Sequence, residues 1–198
     1  DVNNSGSDGY TFPYAYNGKI YLRSQDTNNE WELHEFDPEK NLTIKLNADV
    51  NLSGSSLPSY MVNLGSYIYF SGTDNNASNF EIYKYNIDSG LVSRVYNAKV
   101  NPNGASAPSY LEVINDKIYF SAETWITSKF SSDHSIEIYM YDPDLDVTEK
   151  IDSADINNIS AYGSIPVYLH NLNGLLYFQA WEITGIPGDA DPELYVYY

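Results

Sequence analysis

The sequence predicts an all-β protein: a β-propeller of four blades, each a four-stranded antiparallel meander, with the fourth blade lacking its outer strand. Three observations predict it. A unit of about fifty residues recurs four times, as blade repeats do. The apolar residues within its strands alternate with a period of two, and no segment keeps a helical period over three turns. The 198 residues include 20 Tyr, a side chain suited to the half-buried pleat of a sheet.

The most regular element is a strand B that reads GKIYLRSQD from Gly18, SYIYFSGTD from Ser66, DKIYFSAET from Asp116 and GLLYFQAWE from Gly174. Its tyrosines, Tyr21, Tyr69, Tyr119 and Tyr177, are 48, 50 and 58 residues apart, and are read as core rings. Strand C recurs as ELHEF from Glu32, EIYKY from Glu81, EIYMY from Glu137 and ELYVY from Glu193. Turns rich in Asp, Asn, Pro and Gly follow the first three copies (FDPEKN, YNIDSG, YDPDLD), and such residues reverse a chain tightly. Strand D comes next as LTIKL, LVSRV or VTEKI. A linking loop such as ADVNLSGSSLPSY then leads to strand A of the following unit. The repeats run approximately 1–48, 49–98, 99–154 and 155–198 and are read as one propeller domain or segment over 1–198.

The chain ends fall out of step with the repeat. It opens at Asp1 without Met, as a processed or excised protein would, and strand C of the fourth unit is followed only by Tyr198. The edge Glu193 to Tyr197 is therefore expected to recruit a further strand, from more blades or from a neighbouring copy, by β-augmentation. Ten Lys and Arg against 27 Asp and Glu give a net charge of −17, which disfavours nucleic acid and anionic membrane surfaces as partners and favours cations such as Ca²⁺. The absence of Cys excludes disulfides, thiolate metal sites and thiol catalysis. No apolar run approaches the ~20 residues of a membrane span.

The pattern ADVN, GSS, PSY, GK.YF and EL..YD, clearest from Asp49 to Tyr85 and from Asp155 to Tyr197, resembles the tandem Glu-Leu-Trp repeats of large exported and surface proteins of bacteria. The Trp of that triplet is replaced by His34, Tyr83, Tyr139 and Tyr195. A more distant resemblance is to hemopexin-type propellers. These likenesses imply a propeller at the cell surface and no specific activity.

No HExxH, GxSxG or phosphate-binding glycine loop is present, and His34, His134 and His170 fall on separate segments, so the sequence reads as that of a protein that is not an enzyme. The glutamate opening every strand C is expected to accept backbone N–H bonds from a neighbouring loop, since a role repeated in each blade is architectural. Function is expected where the repeats differ. The B–C connections of the third and fourth units, Glu123 to Ser135 and Trp181 to Pro192, read as long loops. Trp125, Phe130 and Trp181 lie there, and Trp31 occupies the matching place in the first unit. These four are the candidate contacts to a glycan or protein partner. Asp189, Asp191 and Glu193, at alternate positions, are the candidate Ca²⁺ ligands. The resulting expectation is an extracellular or cell-surface binding propeller, or alternatively a module of a surface array assembled by strand sharing.

Overall fold

The computed structural model describes residues 11–75, 79–102, 104–128, 131–152, 164–181 and 192–198, with the backbone alone for 125–128 and 131–134. The described residues form fifteen strands, no α-helix and one 3₁₀ turn at Tyr96–Ala98. These are four blades of a β-propeller. The chain divides into two compact units, Asp1–Val95 and Tyr96–Tyr198, with two blades in each.

In the first unit, blade one is β1 (Thr11–Tyr16), β2 (Lys19–Gln25), β3 (Trp31–Asp37) and β4 (Leu42–Lys45). Blade two is β5 (Ser59–Leu64), β6 (Tyr67–Thr73), β7 (Phe80–Asn86) and β8 (Val92–Arg94). Each sheet is a meander in chain order. The second unit holds blade three, β9 (Ser109–Ile114), β10 (Lys117–Ser128), β11 (Ser131–Asp142) and β12 (Val147–Lys150). Its blade four is β13 (Val167–Leu172), β14 (Leu175–Trp181) and β15 (Pro192–Tyr197), three strands among the described residues.

Local chemistry sets the turns. Asn17 and Gly18 join β1 to β2 with both residues at positive φ, and Asn173 and Gly174 do the same between β13 and β14. That backbone matches the twist of a two-residue hairpin. At each C–D turn the last residue of strand C caps the reversal: the carboxylates of Asp37 and Asp142 and the amide oxygen of Asn86 accept backbone N–H bonds from residues two or three further on.

The core of each unit lies between its two sheets. In the first, Tyr21, Leu33 and Leu46 of blade one pack with Met61, Ile68, Phe70 and Tyr83 of blade two. In the second, Ile138, Met140 and Ile151 pack with Leu169, Leu176 and Phe178. The alternation read from the sequence is the packing pattern here: Ile68 and Phe70, Ile118 and Phe120, and Leu176 and Phe178 are buried. Of the four strand-B tyrosines, Tyr21 and Tyr69 are buried and Tyr119 and Tyr177 partly so.

One segment departs from expectation. Glu123 to Ser128 and Ser131 to Ser135 are strand rather than loop: β10 and β11 continue as a ladder through Trp125↔His134 to Ser128↔Ser131. Thr-Trp-Ile is β-prone, but the polar stretch Ser-Lys-Phe-Ser-Ser-Asp concealed the continuation.

Candidate functional site

The loop from strand D to the next strand A runs past the B–C end of the blades and stitches neighbouring sheets together. In the first unit Trp31 N–H donates to Ser55 Oγ at 2.9 Å. Leu57 N–H donates to Trp31 O at 3.0 Å, and Thr73 N–H donates to Ser56 O at 2.9 Å. Ser56 Oγ in turn accepts from Val50 and Asn51 N–H. Glu32, 1% exposed, receives the Ser56 N–H on Oε1 at 3.0 Å. The second unit repeats the device: Trp181 N–H meets Ser164 O at 3.0 Å, Ile165 N–H meets Ile136 O at 3.1 Å, and Ser164 N–H points to Glu137 Oε2 at 3.5 Å. Glu32 and Glu137 thus make the backbone contacts expected of the repeated glutamate, whereas Glu81 pairs with Arg94 at 3.1 Å and Glu193 is exposed.

Around Glu32 blade one differs from the others. Its strand C carries His34 where Tyr83, Tyr139 and Tyr195 stack on Phe70, Phe120 and Phe178 at 5.8–6.1 Å. His34 is fully buried with Nδ1 3.1 Å from Glu32 O, and burial lowers its pKa. Lys45 reaches Asp26 at 2.7 Å and Asp49 at 2.9 Å. Burial pushes the Glu32 carboxyl up to about 7, whereas Asp26 is held below the usual range despite its burial by Lys45 and by the N–H groups of Asn28 and Glu30. Two carboxyl groups driven apart in this way resemble an acid–base pair. Enclosure under the 55–57 loop argues instead for a structural cluster, because no substrate atom reaches a carboxyl that is 1% exposed.

The accessible chemistry lies nearby at the start of strand A. Each first strand carries a β-bulge, at Thr11/Tyr14, Ser59/Val62, Ser109 to Glu112, and Val167/His170. In blade one the bulge turns Phe12 outward, 39% exposed. The Arg23 guanidinium lies 4.8 Å over the Phe12 ring and 5.4 Å from the Trp31 ring. Arg23 Nε donates to Thr11 Oγ1 at 2.9 Å, which fixes the planar group between the two rings. Tyr60 of blade two stands 5.5 Å from Phe12 at 58°. Phe12, Arg23, Trp31 and Tyr60 thus form one half-exposed aromatic and cationic cluster.

Of the residues expected from sequence, Trp31 belongs to this cluster. Trp181 is partly buried at the end of β14, opposite Pro192. Trp125 lies in β10 rather than in a loop, described in backbone only. Phe130, Asp189 and Asp191 lie outside the described residues. Glu193 is exposed on β15, and among the described residues no group of three or more potential ligands is placed to hold a metal ion. Sequence reasoning missed Phe12, Arg23 and Tyr60. The signal that could have found them was an aromatic at the second residue of strand A in every repeat: Phe12, Tyr60, Tyr110 and Tyr168.

No protein-family model matches the chain, and no curated protein matches it in sequence. Solved structures do share the fold. A puromycin-hydrolyzing peptidase of Mycobacterium tuberculosis superposes with a TM-score of 0.61 at 10% identity, over 96% of this chain and 30% of its own. A second puromycin hydrolase gives 0.51 at 13% identity, over 88% and 25%. A thermostable family-43 glycoside hydrolase gives 0.53 at 13% identity, over 99% of this chain and 72% of its own. The chain spans less than a third of the length of either puromycin-hydrolysing protein. At these identities the likeness is one of fold. It corrects the expectation that the protein is not an enzyme: hydrolases carry this architecture, and the missing sequence motifs give no ground for excluding catalysis.

Proposed function

We propose that this chain is an exported, cell-surface propeller that recognises a glycan at the B–C end of its blades. The observation that carries the reading is the cluster of Phe12, Arg23, Trp31 and Tyr60, in which a guanidinium is held between two aromatic rings at a partly exposed surface. Flat aromatic faces beside fixed donors suit a ligand with apolar C–H faces and a polar hydroxyl rim. The charge of −17 favours a neutral or cationic partner over a polyanion. The shared fold with a glycoside hydrolase, over 99% of this chain, adds support for a saccharide. A glycan array followed by calorimetry, with release of reducing sugar measured on every hit, tests the reading. Saturable binding to a saccharide class supports it. Binding only to protein ligands would replace glycan by protein at the same surface.

A second reading rests on a separate observation. Among the described residues β15 is the outer strand of a three-stranded sheet, while the other three sheets have four strands, and Leu194 on β15 is 75% exposed. A strand from a second copy would complete that sheet and link copies into an array.

A further inference from the structure

The segment entering strand A holds two residues in the left-handed backbone region in the second, third and fourth repeats. The first precedes a proline and varies in kind: Leu57 (φ +49), Ala107 (φ +44) and Ile165 (φ +45). The second is the bulge residue, and it is aromatic in all four blades: Phe12 (φ +53), Tyr60 (φ +51), Tyr110 (φ +52) and Tyr168 (φ +54). Glycine or asparagine is the residue type that tolerates this conformation, and a bulky side chain there is strained. The variable first position shows that the loop geometry itself selects no particular side chain. A different requirement therefore keeps the second position aromatic.

Core packing does not supply that requirement at Phe12 or Tyr168. The inward place at three of the bulges belongs to the next residue, Met61, Leu111 or Leu169, each 5–6% exposed. Phe12 is 39% and Tyr168 66% exposed, Tyr60 is intermediate, and Tyr110 is intermediate with its ring packed against the core of the second unit. Within each unit they meet in pairs, Phe12 with Tyr60 at 5.5 Å and 58°, and Tyr110 with Tyr168 at 5.3 Å and 61°. Hydrogen-bonding groups lie on the same strands or the strand paired with them. In the first unit this is the Arg23 guanidinium over Phe12. In the second these are Glu112 and His170, two residues further along the same strands and 3.3 Å apart.

We propose that the two pairs, Phe12 with Tyr60 and Tyr110 with Tyr168, are stacking subsites for uncharged pyranose rings, with Arg23 and the Glu112–His170 pair bonding the sugar hydroxyls. Tilted rings present two faces to a ligand that is apolar above and below and polar at its edge, a description that fits a pyranose. The negative charge of the chain argues against an anionic sugar at these sites. The proposal rests on the glycan reading above and names the residues and sugar class that carry it.

The test uses glycine variants, because glycine relaxes a left-handed position and so removes the ring without endangering the fold. Phe12→Gly, Tyr168→Gly and the double variant of the full chain would be titrated with cellohexaose, xylohexaose and chitohexaose, with polygalacturonate as the charged control. The expected result is binding of at least one neutral oligosaccharide by the parent, weakened tenfold or more in the double variant, with melting temperatures no lower than the parent's and no binding of polygalacturonate. Unchanged affinity in the double variant would overturn this inference while leaving glycan recognition to Trp31 and Trp181. A melting temperature lowered by several degrees in both single variants would assign the rings to packing and also overturn it. Failure of the parent to bind any of the neutral sugars would remove the inference, and if the array is blank as well, the glycan reading with it.

Discussion

Glu32 carries the most specific energetics at the scale of single residues. Its carboxyl is enclosed, accepts the Ser56 N–H, and is raised by burial to about 7 from the ordinary carboxyl range. A carboxyl whose folded pKa lies above its unfolded value stabilises the fold most fully below the unfolded value, near 4.5, and that contribution is lost as pH rises through about 7. Glu32→Gln keeps an acceptor for Ser56 and removes the ionisation. The stability difference between variant and parent is therefore expected to shift in the variant's favour by about 2–3 kcal/mol between pH 4.5 and 8, measured by urea unfolding at each pH. Glu32→Ala leaves Ser56 N–H without its acceptor and opens a cavity, at a cost of about 2–4 kcal/mol across the range. A difference between the Gln variant and the parent that does not change with pH would show that the fold leaves the Glu32 pKa at its unfolded value. At the bulges, Tyr168→Gly is expected to be neutral or to stabilise by up to about 1 kcal/mol, since the mostly exposed ring packs little and the backbone strain is relieved. Thermal unfolding monitored by circular dichroism would detect the opposite sign.

The D–A loop is the element that joins sheets within a unit. Ser56 Oγ accepts two backbone N–H bonds and Ser106 Oγ does the same from Val100 and Asn101. Ser56→Ala and Ser106→Ala should each destabilise by about 1–3 kcal/mol in urea unfolding, because the orphaned donors are buried; a loss under a few tenths would mean that the loop closes without them. This element was legible in advance. The recurring linking loop before strand A, the Tyr-rich strand B and the Glu-opened strand C gave the blades, their order and the role of Glu32 from their repetition. The β10–β11 extension was hidden because the polar sequence between Thr127 and Ser135 reads as loop, and because ladder length depends on pairing that no local pattern records. The grouping of Phe12, Arg23 and Tyr60 around Trp31 was hidden for a different reason. A left-handed bulge is normally announced by glycine, and here aromatic residues occupy it. The link from Lys45 to Asp26 likewise crosses between strands and has no local spacing signature.

For the whole molecule, two expectations from charge and strand order remain open to direct measurement. If Asp189, Asp191 and Glu193 bind Ca²⁺, millimolar Ca²⁺ should raise the melting temperature relative to chelator, since a ligand of the native state stabilises it by mass action; superimposable curves would exclude a site there. If β15 recruits a strand from a second copy, sedimentation should show concentration-dependent association that Leu194→Lys abolishes, and a monomer at all concentrations would dismiss the strand-sharing array. The central claim is that the B–C side of the blades binds a saccharide, and the three Trp residues are suited to report on it. Trp31 opens β3, Trp125 lies in the distal part of β10, and Trp181 closes β14, so each marks the B–C side of its own blade. Titrating the intact chain with neutral oligosaccharides while following tryptophan fluorescence should give a saturable change, matched by the calorimetric affinity and diminished in Trp31→Ala. Emission that stays constant up to millimolar sugar, or calorimetric binding that leaves the three Trp residues silent, would contradict it.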